Sequence, residues 1–361
     1  MKIGINARTF SVDEPGGSVQ TSLRLTNELM TYPEIEVVLF GHNSLKHIFP
    51  NAKIIDKYYL KDSQIYGLFW ERTVLPNIAS AEEVDVLYCP NGNAPLHPVS
   101  YPVVMCIHDI NAIKGMSNKH HQLYRKLTVP QAAKSADAVV TVSNFSKREI
   151  VNELSIDSNK INVVHNGIKN TYFNNESSSS IDLPEKYILY VGAFNPRKNI
   201  KRLVAAFKQL KEEADIPHKL VLIGPKNKMI FKNMDITISE EIITPGFLKI
   251  EELKFAYQNA TIFAYPSLYE GFGLPPLEAM ACKTPVVAST ASSLPEILDN
   301  AAELADPYEI EDIKQSIYKV ISDEQYQDKL ANLGQIRSQR FTWKAAAEKM
   351  VDIFISVNNK R

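Results

Sequence analysis

Short β-branched runs alternate with amphipathic stretches along this chain, and the whole series is played through twice. In the first half, strands are predicted near residues 2–7, 36–41, 53–58, 84–89, 102–107, 138–142 and 161–165, with helices near 18–31, 118–134 and 145–154. Several strand runs, such as Pro-Val-Val-Met-Cys-Ile at 102–107, are apolar without interruption, as a strand buried on both faces requires. The pattern restarts with strands near 187–193, 219–223, 241–244, 261–265 and 285–288, and helices near 199–213, 250–258, 275–282 and 308–321. Strand–helix–strand units close as parallel pairs with right-handed crossovers. Two such series predict an α/β chain of two doubly wound domains, and a length of 361 residues suits two domains better than one.

Between the two series, residues 169–186 hold Asn174, Asn175 and the serines Ser177 to Ser180, with little apolar content. That composition predicts a flexible linker. Two lobes on a soft joint would enclose a cleft, and open parallel sheets bind ligands beyond the carboxyl ends of their strands. Chemistry is therefore sought in the loops that follow strands.

Composition removes several classes. Lys+Arg number 40 against 41 Asp+Glu, so the chain lacks the basic excess of a general nucleic-acid binder. Its 45% hydrophobic and 22% charged residues are those of an ordinary globular protein. Cys89, Cys106 and Cys282 are odd in number and far apart, which predicts reduced core thiols in a cytoplasmic protein and no disulfide frame or C-x-x-C pair. Arg8 breaks the N-terminal apolar stretch, so no signal peptide is expected, and no run of 18 apolar residues could span a bilayer.

The richest segment is Glu270-Gly-Phe-Gly-Leu-Pro-Pro-Leu-Glu278, which leaves the strand at 261–265. Gly271 and Gly273 permit positive φ and close backbone approach, and Pro275 or Pro276 suits the first turn of a helix. Such a loop, ending at a helix N-terminus, aims free amide donors at an anion such as a phosphate. Glu270 and Glu278 stand at its two ends, able to accept from sugar hydroxyls. The same spacing also fits a tight turn with Glu278 favoured near a positive helix end. Arg197 and Lys198 follow the strand at 187–193 and would put two cations at a carboxyl end, as phosphate ligands or as solvated turn charges. Gly16 and Gly17, after the first strand, fit a substrate-cradling loop or a plain turn. His108, at the end of 102–107, could exchange a hydrogen bond with a hydroxyl. No H-E-x-x-H or D-x-D spacing exists, so no metal site is expected. Residues 110–136 carry Lys114, Lys119, Arg125, Lys126 and Lys134 and no acid. This run reads as a solvated helix face, or as a contact for anionic headgroups or the pyrophosphate of a lipid-linked acceptor.

The segment EGFGLPPLEAMACKTPVVA at 270–288 resembles the E-x7-E signature of the retaining family 4 (group 1) glycosyltransferases. The likeness continues through YVGAFNPRKNIKRLVAAF at 190–207, VTVSNFSKREI at 140–150, HNGI at 165–168, SSLPEIL at 292–298 and FTWKAAAEKM at 341–350. The resemblance implies the GT-B fold, two Rossmann-like doubly wound domains facing each other across a cleft. It implies an acceptor-binding domain at 1–168, a linker at 169–186, a nucleotide-sugar-binding domain at 187–341 and a final helix in 342–361 crossing back to the first domain. By the same resemblance Glu278 holds the ribose and Glu270 sits beside the transferred sugar near its anomeric carbon. The amides of Phe272 to Leu274, with Arg197 and Lys198, face the diphosphate. Gly16 and Gly17 close over donor sugar and diphosphate, His108 bonds the sugar's 6-hydroxyl, and Gly246-Phe247 meets the base.

The implied reaction moves a hexose from a nucleotide sugar, UDP-glucose first and GDP-mannose second, to a saccharide or lipid-linked acceptor in surface polysaccharide assembly. It would proceed with retention, without a cofactor or metal, because cations and helix-end amides can meet the charge that develops on the departing diphosphate. The expected partners are the nucleotide sugar, the acceptor and an anionic membrane surface on its cytoplasmic side, with no nucleic acid. Two other readings share these residues: a nucleotide-sugar epimerase of the same fold, and a non-catalytic sugar-nucleotide-binding partner.

Overall fold

The computed structural model describes residues 1–10, 17–57, 67, 69–116, 119–174, 181–224 and 239–360. The chain divides into two compact units, Met1–Gly167 with Trp343–Arg361, and Ile168–Thr342.

The first unit is built on β1 (Lys2–Asn6), β2 (Glu36–Phe40), β3 (Lys53–Ile55), β4 (Val86–Cys89), β5 (Val103–Cys106), β6 (Ala138–Thr141) and β7 (Ile161–Val163). They form one sheet in the order β3-β2-β1-β4-β5-β6-β7, and each pairing is parallel, with Ile3 opposite both Val37 and Val86. Alternate residues enter opposite cores. Ile3, Ile5, Val37, Leu39, Val86 and Tyr88 share one cluster, while Val38, Phe40, Leu87, Cys89 and Met105 share the other. Both faces are buried, and this is why the strand runs contain no polar alternation. The helices are α1 (Gly17–Leu29), α2 (Leu75–Ala81), α3 (Lys119–Ser135) and α4 (Asn144–Leu154).

The second unit repeats the plan with β8 (Tyr187–Val191), β9 (Lys219–Ile223), β10 (Ile242–Gly246), β11 (Ile262–Tyr265), β12 (Val286–Ser289) and β13 (Glu303–Ala305). Their order is β10-β9-β8-β11-β12-β13. Its helices are α5 (Ile200–Glu213), α6 (Ile250–Asn259), α7 (Leu274–Ala281), α8 (Leu294–Leu298), α9 (Ile310–Ile321) and α10 (Glu324–Ser338). The last helix, α11 (Trp343–Asn358), belongs to the first unit. In each sheet the winding direction reverses beside the first strand, between β1 and β4 and between β8 and β11. Such switch points open crevices at the carboxyl ends of the strands.

Several segments differ from the sequence reading, which contained neither the short helices α2 and α8 nor the edge strand β13. α10 was not expected, because its buried face consists of Leu330, Gly334 and Ser338 and shows no apolar period. Gly334 lets it close on α7, since a Cβ there would stand 2.9 Å from Met280 Cγ. The π-helical turn Trp70–Val74 leading into α2 was also unforeseen. Part of the expected linker is core: Asn170–Phe173 form a 3-10 turn. Tyr172 in that turn is buried, with its ring edge-on to Tyr257 at 5.9 Å. One large aromatic outweighs the serine-rich composition around it, while 175–180 lie outside the described residues. The three cysteines are buried and unpaired. Among the described residues no helix is long and apolar enough to cross a membrane.

Candidate active site

The loops after β8 and β11 meet at the second unit's switch point. After β8, Pro196–Lys198 form a 3-10 turn and Asn199 takes a left-handed conformation, φ 61°. Asn199 Nδ2 donates to the backbone oxygens of Pro266 (2.9 Å) and Pro307 (2.6 Å). The Arg197 carbonyl accepts from Leu268 N at 2.8 Å and Ser267 Oγ at 3.1 Å. These bonds stitch the cationic loop to the Glu270 loop.

Glu270 is almost fully enclosed. Its Oε1 accepts from Lys198 Nζ (2.5 Å), Ser267 Oγ (2.6 Å) and Tyr265 Oη (3.1 Å), and its Oε2 stands 3.5 Å from Arg197 Nη1. Burial by itself pushes the carboxyl pKa up, but the Lys198 and Arg197 charges, with the Lys198 and Ser267 hydrogen bonds, outweigh it and hold Glu270 below its ordinary value. Lys198 Nζ also donates to Tyr265 Oη at 2.6 Å and lies 5.0 Å over that ring. Lys198 is only 7% exposed, so the pair expected to share the diphosphate is divided. Lys198 is sunk against Glu270, whereas Arg197 stays partly open. Burial first, then Glu270, pushes the Tyr265 hydroxyl pKa far up, so it remains a proton donor.

The glycine loop is held from behind by α8's leading serines. Ser292 Oγ accepts from Glu270 N at 3.0 Å, and Ser293 Oγ bonds the Glu270 and Phe272 carbonyls at 3.0 and 2.9 Å. Gly271 and Phe272 are buried, with Phe272 edge-on to Phe341 at 5.6 Å. Gly273 has φ 106° and hands directly to α7 at Leu274, with Pro275 and Pro276 in the first turn. Four residues into α7, Glu278 is half-buried and its Oε2 accepts from Tyr257 Oη at 3.3 Å. Ring contacts connect the supports of the two glutamates, Tyr257 edge-on to Phe263 at 5.5 Å and Phe263 stacked on Tyr265 at 5.6 Å. Gly246 ends the edge strand β10 with φ 96°, and Phe247 beyond it is 67% exposed. Tyr265, Ser267 and Tyr257 were missed from sequence. They read there as strand, turn and helix residues, and only their spacing from the glutamates could have marked them.

In the first unit, Gly17 opens α1, and Gly16 lies outside the described residues. His108 Nε2 is 3.0 Å from the Pro90 carbonyl. A carbonyl only accepts, so Nε2 carries the proton and Nδ1 is left as an acceptor. Burial pushes the His108 pKa down to about 4, the Pro90 bond opposes it and the Arg125 charge adds to it, so the ring is neutral near pH 7. The basic run does not form one free face. Lys114 pairs with Glu149 and Glu153 of α4, and Arg125 turns inward to Gly92 and Asn93. Lys126 and Lys134 remain exposed beside Leu123 and Leu127, themselves 60% and 66% exposed. Acids distant in sequence and a backbone loop thus claim two of the five charges.

Comparison with known proteins accords with this architecture. Residues 173–337 match the family model described as Glycosyl transferases group 1, and residues 15–171 match Glycosyltransferase Family 4. O-antigen chain mannosyltransferase B of Escherichia coli is 29% identical over 242 residues, 64% of each chain. O-antigen chain mannosyltransferase RfbU of Salmonella typhimurium is 30% identical over 204 residues, 56% of each. This chain therefore spans less than two thirds of those relatives in the matched region. Among solved structures, sucrose-phosphate synthase from Thermosynechococcus elongatus superposes with TM-score 0.78 at 19% identity, covering 100% of both chains. Anabaena HepE, solved with UDP and glucose, gives 0.74 at 18% identity, covering 99% of this chain and 100% of that one. These likenesses establish the GT-B fold, and with both family models matched in tandem the chain belongs to the family 4, group 1 glycosyltransferases.

Proposed function

We propose that this protein transfers a hexosyl group from a nucleotide diphosphate sugar to a saccharide or lipid-linked acceptor in the assembly of a surface polysaccharide. The observation that carries the reading is the buried Glu270–Lys198 pair, flanked by Arg197, in front of α7 with Glu278 on its first turns. Breaking a sugar–phosphate bond puts negative charge on the leaving diphosphate. Arg197 and the amides leading into α7 are suited to receive it, which supports transfer without a metal ion. Glu270 accepts three hydrogen bonds on one oxygen and faces a guanidinium with the other. A carboxylate so engaged is a poor nucleophile, which supports retention by front-face attack over a covalent intermediate. Glu278, less enclosed and held by one tyrosine, is the ribose ligand, and Phe247 is the platform for the base. Two curated relatives are named mannosyltransferases, so a mannosyl donor ranks ahead of the glucosyl donor expected from sequence.

The test is thermal denaturation with UDP, GDP, ADP and CDP in the presence of EDTA. A ligand at 100 times its Kd stabilises by about 2.7 kcal/mol, so one diphosphate should raise the melting temperature and Arg197→Ala should abolish the rise. No shift with any of the four, or a shift only with added divalent metal, overturns the donor site as described. The exposed Leu123, Leu127, Lys126 and Lys134 also fit contact with an anionic membrane, where headgroups attract the lysines and the leucines enter the interface. Three buried thiols fit a cytoplasmic face. Vesicle co-sedimentation should rise with anionic lipid, and equal binding to neutral vesicles removes the membrane contact.

A further inference from the structure

Glu278 is half-buried on α7, and a glutamate left partly open can take several rotamers. A donor from another helix meets it. Tyr257, on the last turn of α6, is fully buried and its Oη donates to Glu278 Oε2 at 3.3 Å. Its ring lies edge-on to Phe263 of β11 and, on another side, edge-on to Tyr172 at 5.9 Å. Its carbonyl accepts from Thr284 Oγ1 at 2.6 Å, just past the end of α7. Burial above all, then the Glu278 charge, pushes the Tyr257 pKa far up, so the hydroxyl keeps its proton and stays a donor. For packing alone a phenylalanine would serve, as Phe263 does in the same group of rings. A buried hydroxyl must be desolvated, and the bond to Glu278 offsets that cost.

Tyr172 comes from the 3-10 turn Asn170–Phe173, near the start of the second unit. That turn is fastened to the same two helices. Its Tyr172 carbonyl accepts from Cys282 Sγ at 3.5 Å, next to α7. The Asn174 carbonyl accepts from Gln258 Nε2 at 2.9 Å, beside Tyr257 on α6. Close-packed rings hold one another in single rotamers, so the direction of the Tyr257 O–H is set before any ligand arrives. A ribose presents two neighbouring hydroxyls, and one carboxylate accepts from both when its plane is turned toward the diol. A side chain ordered beforehand spares the ligand the entropy of ordering it.

We propose that Tyr257 is a positioning residue for the donor nucleotide: seated on Tyr172, it turns the Glu278 carboxylate toward the ribose and strengthens the preference for a ribonucleotide over one without ribose hydroxyls. The inference rests on the reading of Glu278 as the ribose ligand. The test is calorimetric titration of the whole chain with UDP, GDP and the 2′,3′-dideoxy analogue of each. For the base that binds, the parent should prefer the ribonucleotide, and Glu278→Ala should remove that preference. Tyr257→Phe keeps the ring contacts, so its melting temperature without ligand should stay near the parent's. Its preference should narrow by about two- to tenfold, the weight of one hydrogen bond. Tyr172→Leu leaves the hydroxyl in place but unseats the ring, and should narrow the preference in the same direction. In the Glu278→Ala background, Tyr257→Phe should change it no further. A preference kept in Tyr257→Phe and lost in Glu278→Ala overturns the positioning role and leaves the ribose reading standing. Equal weakening of ribonucleotide and dideoxynucleotide in Tyr257→Phe makes the tyrosine a packing residue and overturns the role too. A preference untouched by Glu278→Ala, or no binding by any of the four ligands, removes the ribose reading and this inference with it.

Discussion

Glu270 and Glu278 are chemically identical and differ in what surrounds them, so their substitutions should separate. Glu270→Gln leaves Lys198 buried beside a neutral amide. Breaking a buried pair typically costs about 3–5 kcal/mol, so the melting temperature should fall and turnover should drop far more than diphosphate affinity. Glu278→Gln disturbs a half-buried side chain that keeps an oxygen able to accept from Tyr257; stability should fall less than in Glu270→Gln while diphosphate binding weakens. Calorimetric titration on both variants checks this, and equal, small effects would return the loop to a merely structural turn. The pH dependence of stability should also show two windows. The His108 pKa drops from 6.5 to about 4 on folding, so the unfolded chain binds more protons between those values and stability declines as pH falls from 6.5. Glu270, depressed in the folded state, adds its loss only as pH falls below its ordinary 4.5. His108→Gln should narrow the upper window, to which His218, its pKa also lowered by burial, contributes the rest, and leave the lower one, as melting temperature against pH would reveal. The residues that sequence could nominate were those set by position, after a strand and ahead of a helix: the two glutamates, Arg197, Lys198 and the glycines. Tyr265, Ser267 and Tyr257 were not legible, because burial of a polar group beside a distant partner leaves no local pattern.

Elements were legible in proportion to how far their packing follows period. Parallel strands buried on both faces and helices with an apolar stripe announced themselves, whereas α10, which packs by Gly334 and Ser338, did not. The turn into α7 was legible for another reason: after a strand end, two glycines permit the positive φ of a tight turn and two prolines fix the first turn of a helix. That turn also makes a sharp prediction. Gly273 has φ 106°, and an added Cβ would lie 2.6 Å from Leu294 Cδ2. A strained backbone position costs about 1–3 kcal/mol, so Gly273→Ala should shift the loop and reduce diphosphate affinity. Gly17, at the start of α1, has nothing within 4 Å of an added Cβ. Gly17→Ala should therefore leave the melting temperature nearly unchanged or slightly higher. A reversed order of the two effects would show that the α7 entrance is not the tight element described.

At the scale of the whole molecule, the second unit repeats the order of the first unit's first six strands, but the two differ in how many chain segments build them. The first is closed by α11, which returns after the second unit is complete. α11 places Ala346, Met350 and Phe354 four residues apart, with Ala347 and Val351 beside them, all buried in the core that holds Tyr88. Phe354 meets Tyr88 edge-on at 5.7 Å. Neither the return nor its docking face could be deduced from composition; the helix and its return to the first unit were implied by the family resemblance alone. Removing a buried Phe typically costs about 3–5 kcal/mol. Phe354→Ala should therefore loosen β1 and β4, seen as faster amide exchange in those strands, while β8 and β11 keep their protection and the diphosphate-induced melting shift survives. A uniform acceleration across the strands of both sheets would instead mean that the two units unfold as one, and that α11 stabilises the donor site as well as the sheet on which it lies.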